Sequence, residues 1–188
     1  MYGFGLTPHP SHPLTIENYA EGVRQLLSDL FLEDVIIVGH SFGGRVAMRV
    51  ASHDARITGV VLIDSAGIIP RRGLSYHIKV VAYKAAKKLG FRKLPKGSED
   101  YERLSGVMRK TFVNVVNESS ESDARAIAVP TLLIWGERDR DTPLYMCRRL
   151  RKLIGGSESI VIKEGSHFAY LEHSDFTCRV LRAFRERI

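Results

Sequence analysis

Four short apolar runs set what this chain can fold into: DVIIVG at 34–39, TGVVLI at 58–63, PTLLIW at 130–135 and, more weakly, ESIVIK at 158–163. Each is too short for a typical globular helix. They are rich in β-branched residues and Leu and show little polar alternation, so they read as strands buried on both faces, as in a parallel sheet. The stretches between them have helical character. In 15–30, Tyr19, Val23, Leu26, Leu27 and Leu30 recur on one face, with Thr15 as N-cap. Residues 44–53, 143–154 and 174–187 also fit helices, and PHPSHP at 8–13 is a Pro-rich loop. Strands alternating with helices predict an α/β fold, a mostly parallel sheet with helices on both faces.

The segment 68–128 interrupts that alternation. Its two basic amphipathic stretches, 75–89 and 99–117, contain no strand pattern and read as a helical insertion, a cap over the sheet ends. The core then comprises 1–67 and 129–188. Net charge is +7, and the excess is local: 71–110 holds twelve Lys or Arg against three Asp or Glu. A basic field of this kind can attract anionic partners. A charge block carries no geometry by itself, and no nucleic-acid signature accompanies this one, so it reads as solvated helix faces. The expected partner is a small molecule rather than nucleic acid. No apolar run is long enough to span a bilayer, and MYGFGLTPHP does not read as a secretory signal. Cys147 and Cys178 stand far apart without metal-ligand spacing, so two reduced thiols and a cytoplasmic setting are expected.

Between the first strand and an apolar helix lies Gly39-His40-Ser41-Phe42-Gly43, a G-x-S-x-G extended by Gly44. In that context the motif is a nucleophile elbow, a strained turn that points the Ser41 hydroxyl outward. Side chains at the glycine positions are expected to collide with the neighbouring strand and helix. The Phe42 amide, at the helix N-terminus, can donate to a developing oxyanion. The alternative is that Ser41 only caps the helix.

A serine hydroxyl needs a base, and the base needs a carboxylate to fix its tautomer. In this strand order the acid and the histidine follow the serine. The loop GERDRDTP at 136–143 offers Glu137, Asp139 and Asp141. Thr142-Pro143 reads as N-cap and first helical residue, which leaves Asp139 mid-loop; residue chemistry alone does not exclude the other two. Of His9, His12, His40, His53, His77, His167 and His173, His167 follows the last strand at the same sheet edge as Ser41. His40 reads as a residue lining the site, His77 belongs to the cap, and the rest read as surface groups.

With these segments in hand, the chain resembles the α/β-hydrolase superfamily over essentially its whole length. VGHSFGG at 38–44 is similar to that family's elbow, LLIWGERDRDTP at 132–143 to its acid segment and EGSHFAYLEHSDF at 164–176 to its histidine segment. The resemblance implies Ser41 as nucleophile, Asp139 as acid and His167 as base, with Phe42 and His40 at the oxyanion and substrate side and no cofactor or metal. GFGLTP at 3–8 resembles the turn after the family's fourth strand. Strands that normally precede it, with a His-Gly oxyanion loop, have no counterpart in 1–188. The expectation is therefore an N-terminally truncated core lacking a second oxyanion donor, with an open sheet edge prone to self-association. Serine at the nucleophile position implies an esterase-like or carbon–carbon bond hydrolase. The rival expectations are a catalytically impaired remnant and a non-enzymatic interaction protein of the same fold.

Overall fold

A computed structural model of the chain describes residues 1–70, 104 and 106–188. The amphipathic stretch 75–89, with His77, lies outside the described residues, as does the first part of 99–117. The described elements, in order, are α1 (Ile16–Asp29), β1 (Val35–His40), α2 (Phe42–Ala51), β2 (Ile57–Ile63), α3 (Gly106–Asn117), α4 (Glu121–Ala126), β3 (Thr131–Gly136), α5 (Leu144–Leu153), β4 (Glu158–Ile162), α6 (Ala169–Glu172) and α7 (Ser174–Arg187). Among them the four strands form one fully parallel sheet in the order β1-β2-β3-β4.

Alternation along each strand divides the core. Val60, Leu62, Leu133 and Trp135 point to the face covered by α1, α2, α4 and α5. Val61, Ile63, Leu132, Ile134 and Ile162 point to the other, where Phe184 of α7 and Ala169 of α6 close over them. β2 and β3 are thus buried on both faces. β1 is not: it stands at a sheet edge, and Val38 is 52% exposed. The run 34–39, read as buried on both faces, is only partly covered, because among the described residues it has a neighbouring strand on one side alone.

α1 begins as expected at Thr15, whose hydroxyl accepts the Asn18 amide while Asn18 Oδ1 accepts the Thr15 amide at 2.9 Å. Its buried stripe, however, runs through Ile16, Tyr19, Ala20 and Leu27, and Leu26 and Leu30 on the shoulder are exposed. Arg49 of α2 gathers Glu17, Glu118 and Asp123 at 2.9–3.0 Å, tying α1, the α3–α4 connection and α4 to one side chain. α3 is pinned to the chain ahead of α1 by Thr111 Oγ1, which accepts the Leu14 amide at 3.0 Å, and by Asn114, which donates to the Leu14 carbonyl at 3.2 Å. α3 thereby shares a cavity with the end of β1, where Met108, Phe112 and Val115 line the same space as Ser41.

Candidate active site

In parallel sheets, ligands gather outside the carboxyl ends of the strands. Here each strand delivers one polar side chain to that edge: Ser41 after β1, Asp64 after β2, Asp139 beyond β3 and His167 beyond β4. Ser41 has φ 50° and ψ −117°, a left-handed conformation that a residue with a side chain adopts at a cost. Packing imposes it. The Ser41 amide donates to the Ile63 carbonyl at 3.1 Å, and the Ser41 carbonyl accepts from Gly44 and Ala66 at 3.0 Å. A Cβ on Gly39 would lie 2.5 Å from the Gly43 carbonyl oxygen, and one on Gly44 would lie 1.9 Å from Ser65 Oγ. Gly43 differs: a Cβ there meets nothing within 4 Å, so the expected collision holds for two of the three glycines. Ser41 sits at the N-cap of α2 but makes no side-chain cap bond.

The Ser41 hydroxyl lies 3.0 Å from His167 Nε2, and His167 Nδ1 lies 2.9 Å from Asp139 Oδ2. An ionised carboxylate only accepts, so Nδ1 carries the proton and Nε2 is left to accept from the serine. The other bonds to Asp139 come from its own loop: the amides of Asp141 and Thr142 donate to Oδ1 at 2.8 and 3.0 Å, and the Thr142 hydroxyl lies 2.6 Å from Oδ2. Burial pushes this carboxyl up, but the bonds from His167 and Thr142 outweigh it and hold Asp139 well below the usual carboxylate range. The Asp139 hydrogen bond raises His167 above its ordinary value, against the opposing effect of burial. Glu137 and Asp141 are exposed. Thr142 does not cap α5; Pro143 occupies that position, and the Thr142 hydroxyl turns back to Asp139 instead.

Asp139, Asp141 and His167 are close enough to suggest a cation site. The donor set argues otherwise, since the Asp139 oxygens already face N–H and O–H hydrogens a cation would have to displace. His40 packs away from the cavity beside Ser41. Its Nε2 donates to the His167 backbone carbonyl at 2.9 Å, and its ring meets those of His167 and Tyr170 at 4.8 Å. Burial lowers the His40 pKa, so the ring is neutral. His173 is exposed in the α6–α7 connection, and His9, His12 and His53 are exposed too.

Phe42 lines a cavity of about 590 Å³ together with Ser41, Tyr19, Met108, Phe112 and Val115. Phe4, from the GFG turn, stacks on Phe42 at 5.5 Å. The Phe42 amide is the first N–H of α2 and has no acceptor among the described residues. Arg45, one helical turn beyond Ser41, reaches the same cavity though only 5% exposed. It donates to the Glu118 backbone carbonyl, and burial lowers its pKa more than nearby Glu118 restores it. Sequence reasoning passed over Arg45 and Asp64 and read Thr142 only as an N-cap. For Asp64 a signal existed: a carboxylate directly after a buried parallel strand, where the other three groups also stand.

Known proteins resemble this chain in sequence and in fold. The chain is 26% identical over 203 residues to the AB hydrolase superfamily protein YisY of Bacillus subtilis, covering 93% of this chain and 75% of that protein. It is 26% identical over 216 residues to 2-hydroxy-6-oxo-2,4-heptadienoate hydrolase of Pseudomonas putida, covering 98% and 75%. The crystal structure of a bromoperoxidase from Bacillus anthracis superposes with a TM-score of 0.76 over 98% of this chain and 79% of that one, at 20% identity, a likeness of fold. The profile of the Alpha/beta hydrolase family matches residues 1–180, and the chain belongs to that family.

Proposed function

We propose that this protein is a serine hydrolase that cleaves an ester or related carbonyl substrate through Ser41, His167 and Asp139. The observation that carries the reading is the unbroken hydrogen-bond chain from the Ser41 hydroxyl to His167 at 3.0 Å and on to Asp139 at 2.9 Å. His167 Nε2 takes the serine proton as Oγ attacks the carbonyl carbon. The Phe42 amide, held at a helix N-terminus, receives the oxygen as charge develops on it. His167 then returns the proton to the leaving group, and the same base activates water to release the acyl group. Asp139 fixes the tautomer and balances the imidazolium.

Residues 68–128 act as the cap in this reading. Leu104, Met108, Phe112 and Val115 belong to that segment and line the cavity beside Ser41. The cavity wall is largely apolar, with Arg45 its one cation and Asp141 its one acid among the described lining residues. A substrate with an apolar body and a carboxylate suits that lining. This favours, as a second reading, carbon–carbon bond hydrolysis of a keto acid, in line with the heptadienoate in the name of the Pseudomonas putida relative.

A fluorophosphonate probe tests the proposal without knowledge of the substrate. The wild-type protein is expected to be phosphonylated at Ser41, and Ser41→Ala to lose labelling while keeping its fold. A folded wild-type sample that never labels would instead support the impaired remnant.

A further inference from the structure

One buried carboxyl at the sheet edge has no part in the proton path described above. Asp64 follows β2 in a left-handed backbone conformation, φ 41°, and is 0% exposed. Its Oδ1 accepts the Gly136 amide at 2.7 Å. Its Oδ2 is buried without a hydrogen-bond partner among the described residues, and the side chain lies within hydrogen-bonding reach of the Asp139 carboxyl. Thr142 joins the two residues, its hydroxyl 2.6 Å from Asp139 Oδ2 and 3.0 Å from the Asp64 carbonyl.

Two carboxylates side by side present acceptor to acceptor, and burial makes that arrangement costly unless one of them holds a proton. Donor supply decides which. Among the described residues Asp139 receives the Asp141 and Thr142 amides and His167 Nδ1–H, with the one Thr142 hydroxyl hydrogen lying between Asp139 Oδ2 and the Asp64 carbonyl, whereas the Asp64 carboxyl receives a single amide. The negative charge therefore belongs on Asp139 and the proton on Asp64.

We propose that Asp64 is a positioning residue for His167, acting through Asp139: its protonated carboxyl donates a hydrogen bond that holds the Asp139 carboxylate in line with the imidazole. The proposal rests on the reading of Ser41, His167 and Asp139 as the reacting set. Burial, reinforced by the neighbouring Asp139 charge, pushes the Asp64 carboxyl up to about 7. Among the described residues the titratable groups acting with it are Asp139, His167 and the buried Cys147 of α5, whose thiol burial raises to about 11 and keeps neutral. Asp141 stands one step further out, acting on His167. When Asp64 ionises, a second negative charge strengthens proton binding at His167 and withdraws the base. The acid limb of reactivity thus belongs to a coupled pair rather than to one histidine.

The test uses Asp64→Asn, whose amide matches the protonated carboxyl in shape, accepting from Gly136 and donating to Asp139 at every pH. The rate of Ser41 phosphonylation by the fluorophosphonate is followed against pH. The wild type is expected to show a broad acid limb. The variant is expected to show a one-proton limb with its midpoint lower by about half a unit or more. A merely structural role would scale the rate at all pH values, and a limb that does not move, or moves up, overturns the proposal. Carboxyl ¹³C NMR of the wild type reads the same proton without reference to reactivity, and serves if the variant does not fold. An aspartate titrating near neutrality is expected, and titration of every aspartate in the ordinary acidic range overturns it. Absence of labelling in the wild type sinks the hydrolase reading, whereas normal labelling with an unmoved limb sinks this one alone.

Discussion

At the end of β1 the Ser41 turn is aimed by main-chain bonds and close packing; beyond β3 and β4 main-chain bonds also join the two loops, Glu137 to the Ile162 carbonyl at 3.0 Å and Arg138 to the Gly165 carbonyl at 2.8 Å, but the Asp139 and His167 side chains are aimed by side-chain hydrogen bonds. The Ser41 turn is fixed by main-chain bonds to Ile63, Gly44 and Ala66 and by the absence of side chains at Gly39 and Gly44. The Asp139 and His167 loops meet where Gly136 lets the Ser166 carbonyl pass 2.1 Å from where a Cβ would stand. Their alignment then comes from Thr142, His40 and the Asp139–His167 bond. A nucleophile needs one fixed direction, which steric exclusion supplies. A base that binds and releases a proton needs partners that adjust to its charge, which hydrogen bonds supply.

The largest effect is expected where the second kind of support carries charge. Asp139→Asn keeps the shape of the acid and removes its charge, leaving His167 free to adopt the other tautomer. The phosphonylation rate should fall roughly 10³–10⁴-fold. The pH profile follows from the same pair. In the proposed reaction His167 serves as a base only when neutral, and Asp139 raises its pKa above the ordinary value, so reactivity is expected to rise with pH through a point above 6.5. Stability runs the other way. A raised histidine pKa contributes stability that is fully present below the unfolded value and is lost as pH rises through the folded one. The stability advantage of the wild type over His167→Gln should therefore shrink as pH increases past 6.5. An advantage that grew with pH would contradict the ion pair.

Next comes the turn itself. Gly39→Ala places a Cβ 2.5 Å from the Gly43 carbonyl oxygen and 2.8 Å from Gly44 Cα, backbone atoms that move only with the helix. A loss of roughly 3 kcal/mol or more is expected in denaturant unfolding. Gly43→Ala meets open space within 4 Å. It should be neutral or stabilising by up to about 1 kcal/mol, since alanine is the better helix former. Equal damage from both would mean that the motif's glycines do not act through sterics.

Thr142→Val probes the side-chain kind of support without touching charge. It removes the hydroxyl beside Asp139 Oδ2 and the Asp64 carbonyl at nearly constant volume. The cost should be about 1–3 kcal/mol in unfolding, with a roughly tenfold slower phosphonylation rate. A variant with wild-type rate would show that the two amides on Oδ1 suffice to aim the carboxylate.

This division also explains what the sequence made legible. Backbone constraints leave marks in residue type, so the strand–GHSFGG–helix pattern located the Ser41 turn, and the apolar runs located the four strands among the described residues. Asp139 and His167 could be placed at one sheet edge because loops after parallel strands share an edge. Choosing Asp139 over Asp141 required the family resemblance, since two carboxylates separated by one residue differ only in which way the loop turns. The Thr142 contact was hidden by a rival rule: Thr before Pro is a good N-cap signature, and tertiary hydrogen bonding overrode it. Asp64 left only its place directly after β2, and His40 only its place beside Ser41 in the elbow. Their roles depend on contacts across 75 and 127 positions, from Asp64 to Asp139 and from His40 to His167.

The smallest expected effect bears on the base loop. His40 Nε2 donates to the His167 carbonyl at 2.9 Å, and burial keeps the ring neutral, so the contact is an ordinary hydrogen bond rather than an ion pair. His40→Phe retains a ring against His167, Phe168 and Tyr170 and removes only the donor. A net loss of about 1 kcal/mol is expected. If the loss falls on the alignment of His167, it appears as a phosphonylation rate about fivefold lower, with unfolding little changed. If it falls on the fold instead, unfolding shifts and the rate does not. The second outcome would mean that the β4–α6 loop is held by its packing as firmly as Ser41 is by its glycines, and the two kinds of support would then no longer divide between the nucleophile and the base.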